Sequence, residues 1–290
     1  MNSAEPTSQI PAERWETEIT PHRGIFSVPI REMIHYRDLL FLFVRRDFIA
    51  TYKQTILGPV WFLVQPILTT IMMTFVFGRL AGLSTDGLPK VLFYLAGVTL
   101  WGYFAANLNK TASSFTSNAG LFGKVYFPRL LTPMSVVLSN LISFAIQFGM
   151  FLAFWSYYCL DGLIQPNWTA FLLPVLIFIL GMTGLGFGLI ISALTTKYRD
   201  LINLLGFGTQ LFMYATPIIY PQSIAEGKKY AVFLQANPVT PIIETFRHGF
   251  LGVGHFSWLA LGYSFLVGLI LLLCGMVIFN KVEANFMDTV

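Results

Sequence analysis

RRDFIATYKQTILGPVWFLVQPI, Arg45 to Ile67, sets two incompatible compositions side by side. It opens with Arg45, Arg46 and Asp47, adds Lys53, and turns apolar from Ile56 onward. The charged half is too costly to place in hydrocarbon, whereas the apolar half begins a segment fit to cross it. Upstream, Arg37 with Asp38, then Arg45 to Asp47, then Lys53 recur about every two helical turns, so the charges share one side of a helix. Leu39 to Val44 and Phe48 with Ile49 fill the intervals. Residues 31–55 therefore read as an amphipathic helix in the membrane interface, and Gly58-Pro59 as the turn into the bilayer. Arg45, Arg46 and Lys53 are its candidate contacts to lipid headgroups.

The rest of the chain supports a membrane reading. Of 290 residues, 55% are hydrophobic and 11% charged, with mean hydropathy +0.67. Soluble domains carry about 25% charged residues. Residues 1–30 hold Glu5, Glu13, Glu16 and Glu18 without an apolar core, which argues against a signal peptide and for an N-terminal tail. Stretches near 57–79, 91–109, 133–160, 169–195, 201–220 and 256–280 are each apolar over roughly the 20 residues that a spanning helix needs. Gly206, Gly208 and Pro217 interrupt the fifth. The expected fold is all-α: a six-helix membrane domain over 56–283, with a short tail at 284–290. Of the 18 Lys and Arg residues, only Arg79, Lys90, Lys228, Lys229 and Arg247 fall on the side opposite the N-terminus, so both termini are expected in the cytoplasm.

Signals for bond chemistry are sparse. His22, His35, His248 and His255 form no metal-ligand spacing, and no P-loop occurs. No catalytic or metal-binding residue is assigned. Glu244 and His248, one turn apart, are the sole pair resembling an acid and base. Cys159 and Cys274 lie in apolar runs and read as unpaired fillers. Arg79, Asp161 and Asp200 sit at segment ends, which weighs against a proton- or ion-driven carrier. Asn167-Trp168-Thr169 fits a glycosylation triplet too common to carry weight.

Uncharged polar and aromatic residues remain. Trp61, Gln65, Thr69 and Met72 share one helical face, as do Asn203, Phe207, Gln210, Tyr214 and Pro217. These faces suit either packing between helices or a conduit for a hydroxyl-rich cargo, since amides bond hydroxyls and aromatic rings cover the apolar faces of sugars. Gly181, Gly184, Gly186 and Gly188 read as close helix packing. In the loop Thr111–Pro133, Ser113, Ser114 and Asn118 are candidate caps of a short helix, and Gly120 and Gly123 are expected to break it. Farther on, Thr240 is the expected N-cap of another short helix, with Pro241 in its first turn and Gly249 or Gly252 at its end. That helix is expected to dip into the outer leaflet.

Several of these pieces, in order, resemble the type-2 ABC exporter permeases, and most nearly those for O-antigen, capsular polysaccharide or teichoic acid. They are Arg45-Arg46-Asp47 to Tyr52-Lys53, Leu57-Gly58-Pro59-Val60-Trp61 with Gln65-Pro66, and Lys124-Val125-Tyr126-Phe127-Pro128-Arg129. Tyr198-Arg199-Asp200, Thr216 to Pro221, Asn237-Pro238 and Glu244 to Arg247 follow. The resemblance covers about residues 31–283 and leaves out the first 30. It implies a homodimer joined by two copies of a separate ATP-binding subunit, which holds ATP and Mg, so this chain needs no cofactor. It also implies re-entrant helices between the fifth and sixth spans, and a channel lined by Trp61, Gln65, Thr69, Met72, Asn203, Phe207, Gln210 and Tyr214. Asn118, Leu121, Phe122, Lys124, Tyr126, Phe127 and Arg129 become the element that couples to the ATPase. The implied cargo is a lipid-linked glycan crossing the inner membrane. A drug or simple-lipid exporter, a glycan-modifying membrane enzyme and an ATPase-independent carrier are the competing readings.

Overall fold

The computed structural model describes residues 34–53, 55–122, 127–196, 198, 200–225, 227 and 231–287, and all regular structure among them is helical. Helix α1 (Arg37–Tyr52) is followed by a 3-10 turn at Gly58–Val60 and by α2 (Trp61–Met73), which winds on as a π-helix through Leu80. Then come α3 (Lys90–Ala112), α4 (Ser114–Phe122), α5 (Leu131–Leu160), α6 (Leu173–Thr195) and α7 (Leu201–Tyr214). Two short helices, α8 (Ala231–Ala236) and α9 (Thr240–Leu251), precede the long α10 (Trp258–Met287).

Five helical segments are long and apolar enough to cross a bilayer: Gly58–Leu80, Lys90–Ala112, Leu131–Leu160, Trp168–Thr195 and Trp258–Val282. The fifth expected span departs from this. Helix α7 ends at Tyr214, and its 14 residues rise about 21 Å, against a hydrocarbon thickness of about 30 Å. Pro217 lacks the N–H that would continue the ladder, so the chain leaves the helix and turns through residues 215–220.

Helix α3 is the buried centre, packed against α5, α6 and α2, while α10 lies along α6. Glycines set these distances. A Cβ on Gly188 would stand 2.5 Å from Thr111 Cβ, and one on Gly181 2.8 Å from the Tyr103 hydroxyl, so both admit α3. One on Gly186 would stand 2.6 Å from the Leu272 backbone nitrogen, and one on Gly275 2.8 Å from the Gly186 carbonyl, so this pair admits α10. The glycines of α6 thus serve two faces, the small-residue packing expected of them.

Helix α1 lies along α5, with Phe43 and Val44 buried. Ser139 donates to the Val44 carbonyl at 3.2 Å and Ser135 to the Asp47 carboxylate at 3.2 Å. Its hydrophobic stripe is narrow, because Phe41 and Leu42 remain exposed. Cys159 and Cys274 are free thiols.

Candidate functional site

A groove of about 1000 Å³ opens between α2, α3, α5 and α7. Its wall carries Trp61, Gln65 and Thr69 from α2 and Gln210 from α7, four of the residues expected from helical spacing. The others lie elsewhere. Met72, Phe207 and Tyr214 are exposed outside the groove, as is Asn203. The groove face of α7 is instead Gly206, Thr209, Gln210 and Met213, one step round the helix.

The opposite wall comes from helices whose polar residues the sequence reading passed over. Helix α3 supplies Trp101, Asn109 and Lys110, and α5 supplies Asn140, Ser143 and Gln147. Spacings of three and four place the α5 trio on one face, so periodicity held that signal. Some of these groups are already committed. Asn109 donates to the Ala105 carbonyl at 2.8 Å and accepts from Thr209 at 3.4 Å, joining α3 to α7. Asn140 donates to Asn107 Oδ1 at 2.8 Å and accepts from Lys110 Nζ at 3.0 Å. Among the described residues, the side-chain amides of Gln65, Gln147 and Gln210 find no hydrogen-bond partner, and all three line the groove. Each carries two N–H donors and one carbonyl acceptor.

Below the groove, α1, α4 and the start of α5 form an aromatic junction. Phe127 meets Phe43 edge-on at 5.4 Å and Phe122 at 5.8 Å. The Arg129 guanidinium lies 5.3 Å over the Phe122 ring. Phe122, Phe127 and Arg129 are buried, and Leu121 is partly so. Arg46 binds Asp47 at 2.8 Å, reaches Asn118 Oδ1 at 3.3 Å and covers the Phe43 ring at 4.7 Å. Asn118 also donates to the Ser114 carbonyl at 2.9 Å. Thus Arg46 ties α1 to α4, while Arg45 and Lys53 are exposed. Lys124 and Tyr126 lie outside the described residues, as do Gly123 and residues 1–33. Gly120 does not break α4, which runs on to Phe122, and Ser113 bonds back to the Asn109 and Lys110 carbonyls instead of capping it.

At the opposite end, α9 closes over the turn after α7. Arg247 is 2% exposed, donates to the carbonyls of Pro217 and Ile218, and meets Glu244 Oε1 at 3.4 Å. Its guanidinium lies 3.7 Å over the Phe93 ring of α3. Asn237 adds bonds to the Thr216 hydroxyl at 2.9 Å and the Ala215 carbonyl at 3.2 Å. The carbonyls of Ala215, Pro217 and Ile218 in the turn after the short α7 are therefore satisfied by side chains. Helix α9 starts on Val239 as N-cap without a side-chain cap bond, so Thr240 sits inside its first turn, and Gly252 at φ 72° ends it. Gly249 is internal and packs on Ala170.

The candidate acid and base each have partners here. Glu244 faces Arg247 and the His255 N–H, while His248 Nδ1 pairs with the Thr169 hydroxyl at 3.0 Å. Asn167 caps the turn after it by accepting from the Trp168 N–H at 2.7 Å.

Comparison with known proteins finds relatives that match most of the chain. The O-antigen export system permease protein RfbA of Klebsiella pneumoniae is 27% identical over 252 residues, covering 87% of this chain and 94% of that protein. Its namesake in Myxococcus xanthus is 27% identical over 219 residues, 75% of this chain and 82% of that one. The capsule polysaccharide export inner-membrane protein BexB of Haemophilus influenzae is 27% identical over 240 residues, 80% of this chain and 86% of that one. The family model described as ABC-2 type transporter matches residues 38–251, from within α1 to the end of α9. The chain is a multi-pass membrane protein and belongs to the ABC-2 type transporter family.

Proposed function

We propose that this chain is the permease subunit of an ATP-driven exporter that moves a lipid-linked polysaccharide of the O-antigen or capsule type across the inner membrane. The observation that carries the reading is the groove: uncommitted amides of Gln65, Gln147 and Gln210 face it beside Trp61 and Trp101, in a chain of the ABC-2 family. Uncommitted amides suit a succession of sugar hydroxyls, because none has to break an internal bond first. Names of relatives that export O-antigen and capsule support the same cargo class.

Two copies of the chain pair with two ATP-binding subunits, which bind ATP and Mg. Both termini lie in the cytoplasm, and α7 completes a six-span domain with the help of the clamped turn. Helices α8 and α9 are re-entrant at the exit side. The exposed face of α7, with Asn203, Phe207 and Tyr214, together with Met72 of α2, lines the channel between the two copies. Helix α4 and the loop to Arg129 receive the ATPase. Because Phe122, Phe127 and Arg129 are buried, they fix α4 against α1 and the start of α5, and Asn118 passes the movement of α4 to α1 through Arg46. Arg46→Gln should therefore lower transport-coupled ATP hydrolysis several-fold while insertion and ATPase binding persist. Unchanged coupling would remove Arg46 from the relay.

The cargo reading is tested by Gln65→Leu with Gln210→Leu, assayed for surface glycan in cells. Losing two hydrogen bonds of about 1 kcal/mol each predicts export reduced roughly tenfold or more, with the complex still assembled. Full export in the double variant would exclude these amides from the path.

A further inference from the structure

Lys110 departs from the other groove residues in carrying a charge. It sits in the last turn of α3, where a basic residue would ordinarily extend toward the headgroups and water. Here it is exposed along the groove wall. Its ammonium donates to Asn140 Oδ1 at 3.0 Å, and Asn140 in turn donates to Asn107 Oδ1 at 2.8 Å. Asn140 is 2% exposed and Asn107 fully buried, so the chain of amides that orients the ammonium is itself fixed by packing. That bond uses one of three N–H donors and leaves the charge facing the open groove.

Among the described residues, no acid lies within ion-pair distance of Lys110. Asp47 is the acid whose field reaches it, and that carboxylate is already held by Arg46 at 2.8 Å and by Ser135 at 3.2 Å. The remaining wall is neutral. Thr51, Gly58, Gln65, Gln147, Trp61 and Trp101 line it without charge. A cation held by neutral amides, at the head of a groove with aromatic walls, is matched to an amphiphile with an anionic head.

We infer that the Lys110 end of this groove is a binding site for the phosphate head of an amphiphilic molecule, with the Lys110 ammonium as its charge partner. The inference deepens the export reading, because it places the charged, lipid-borne end of the cargo within a single protomer. It also assigns the anion to a residue distinct from Arg45 and Lys53 of α1.

The test uses the full chain in phosphatidylcholine nanodiscs, titrated with 12-bromododecyl phosphate and, separately, with 12-bromododecanol. Bromine quenches tryptophan, and Trp61 and Trp101 line the groove. The phosphate probe should give saturable quenching that the alcohol does not. Lys110→Gln should weaken the phosphate probe about tenfold, the loss expected for one charge-assisted bond, and Lys110→Arg should retain it. Equal quenching of the wild-type chain by phosphate and alcohol probes would overturn the inference without recourse to any variant. So would a Lys110→Gln chain that titrates like wild type. Inorganic phosphate competing at the same concentration as the alkyl probe would overturn the amphiphile assignment in favour of a free anion. Loss of the alkyl probe's binding when phosphatidylglycerol replaces phosphatidylcholine would assign the site to bulk lipid and overturn the cargo assignment. Binding is read without transport or nucleotide, so a failure here leaves the export reading standing, and failed export with intact binding would count against that reading alone.

Discussion

Arg247→Met is expected to be the most destabilising single substitution in the chain. The guanidinium is the donor that satisfies the carbonyls of Pro217 and Ile218, 30 and 29 residues away, and the cation that balances Glu244, itself 3% exposed. Methionine approximates the volume and removes all three functions. Breaking a buried pair from one side costs about 3–5 kcal/mol, because the remaining charge keeps its desolvation penalty without its partner. Thermal unfolding of the purified chain, followed by size exclusion, should show a large loss of folded protein. Adding Glu244→Gln to Arg247→Met should recover part of it, since the orphaned charge is then gone. Glu244→Gln alone also leaves a buried charge without its counter-ion, and should cost less than Arg247→Met only to the extent that Arg247 keeps both carbonyls and its Phe93 contact. A double variant no more stable than Arg247→Met would show that the carbonyl bonds, and not the charge balance, dominate.

The second large effect is expected at Gly186, where α6 and α10 meet. A Cβ there would approach the Leu272 nitrogen at 2.6 Å and the Leu271 carbonyl carbon at 2.7 Å. Both are backbone atoms, so no rotamer change can relieve the clash, and the helices must separate. Overpacking of this kind typically costs about 1–3 kcal/mol, and a contact against backbone belongs at the upper end. Gly186→Leu should therefore lower the yield of folded protein and its unfolding temperature. By contrast, Gly206→Ala in α7, where an added Cβ meets nothing within 4 Å, should leave both near wild type. Equal behaviour of the two variants would refute close α6–α10 packing.

Five of the six expected membrane helices were legible in the sequence because composition alone decides whether 20 residues can enter hydrocarbon, whereas 201–220 was apolar enough but is broken after Tyr214. The same reasoning found α1, since the charges ending at Lys53 cannot follow Ile56 into the bilayer. The groove was half legible. Gln65 and Gln210 stand out in runs that are otherwise apolar, but Asn140, Ser143 and Gln147 are spread along a 30-residue helix whose apolar content masks their shared face. Lys110 was absorbed into the count that set orientation, a role that requires no position within the fold. Arg247 was hidden for a different reason. Its partners at Pro217 and Ile218 are backbone carbonyls, which carry no residue-specific signal, so two neighbouring motifs gave no sign that one clamps the other. Phe127 and Arg129 looked like a docking surface, and their burial follows from the tertiary meeting of α1, α4 and α5, which no local pattern encodes.

The central claim is that this chain carries a glycan across the membrane. The most direct measurement is depletion of the protein in its host, followed by fractionation of the polysaccharide according to lipid attachment and to access by reagents added outside the cell. The account predicts that lipid-linked glycan accumulates, shielded from those reagents, while the surface polymer disappears, and that the wild-type chain restores export only when its ATP-binding partner can hydrolyse ATP. Undiminished surface glycan after depletion, or restored export with a hydrolysis-deficient partner, would contradict it.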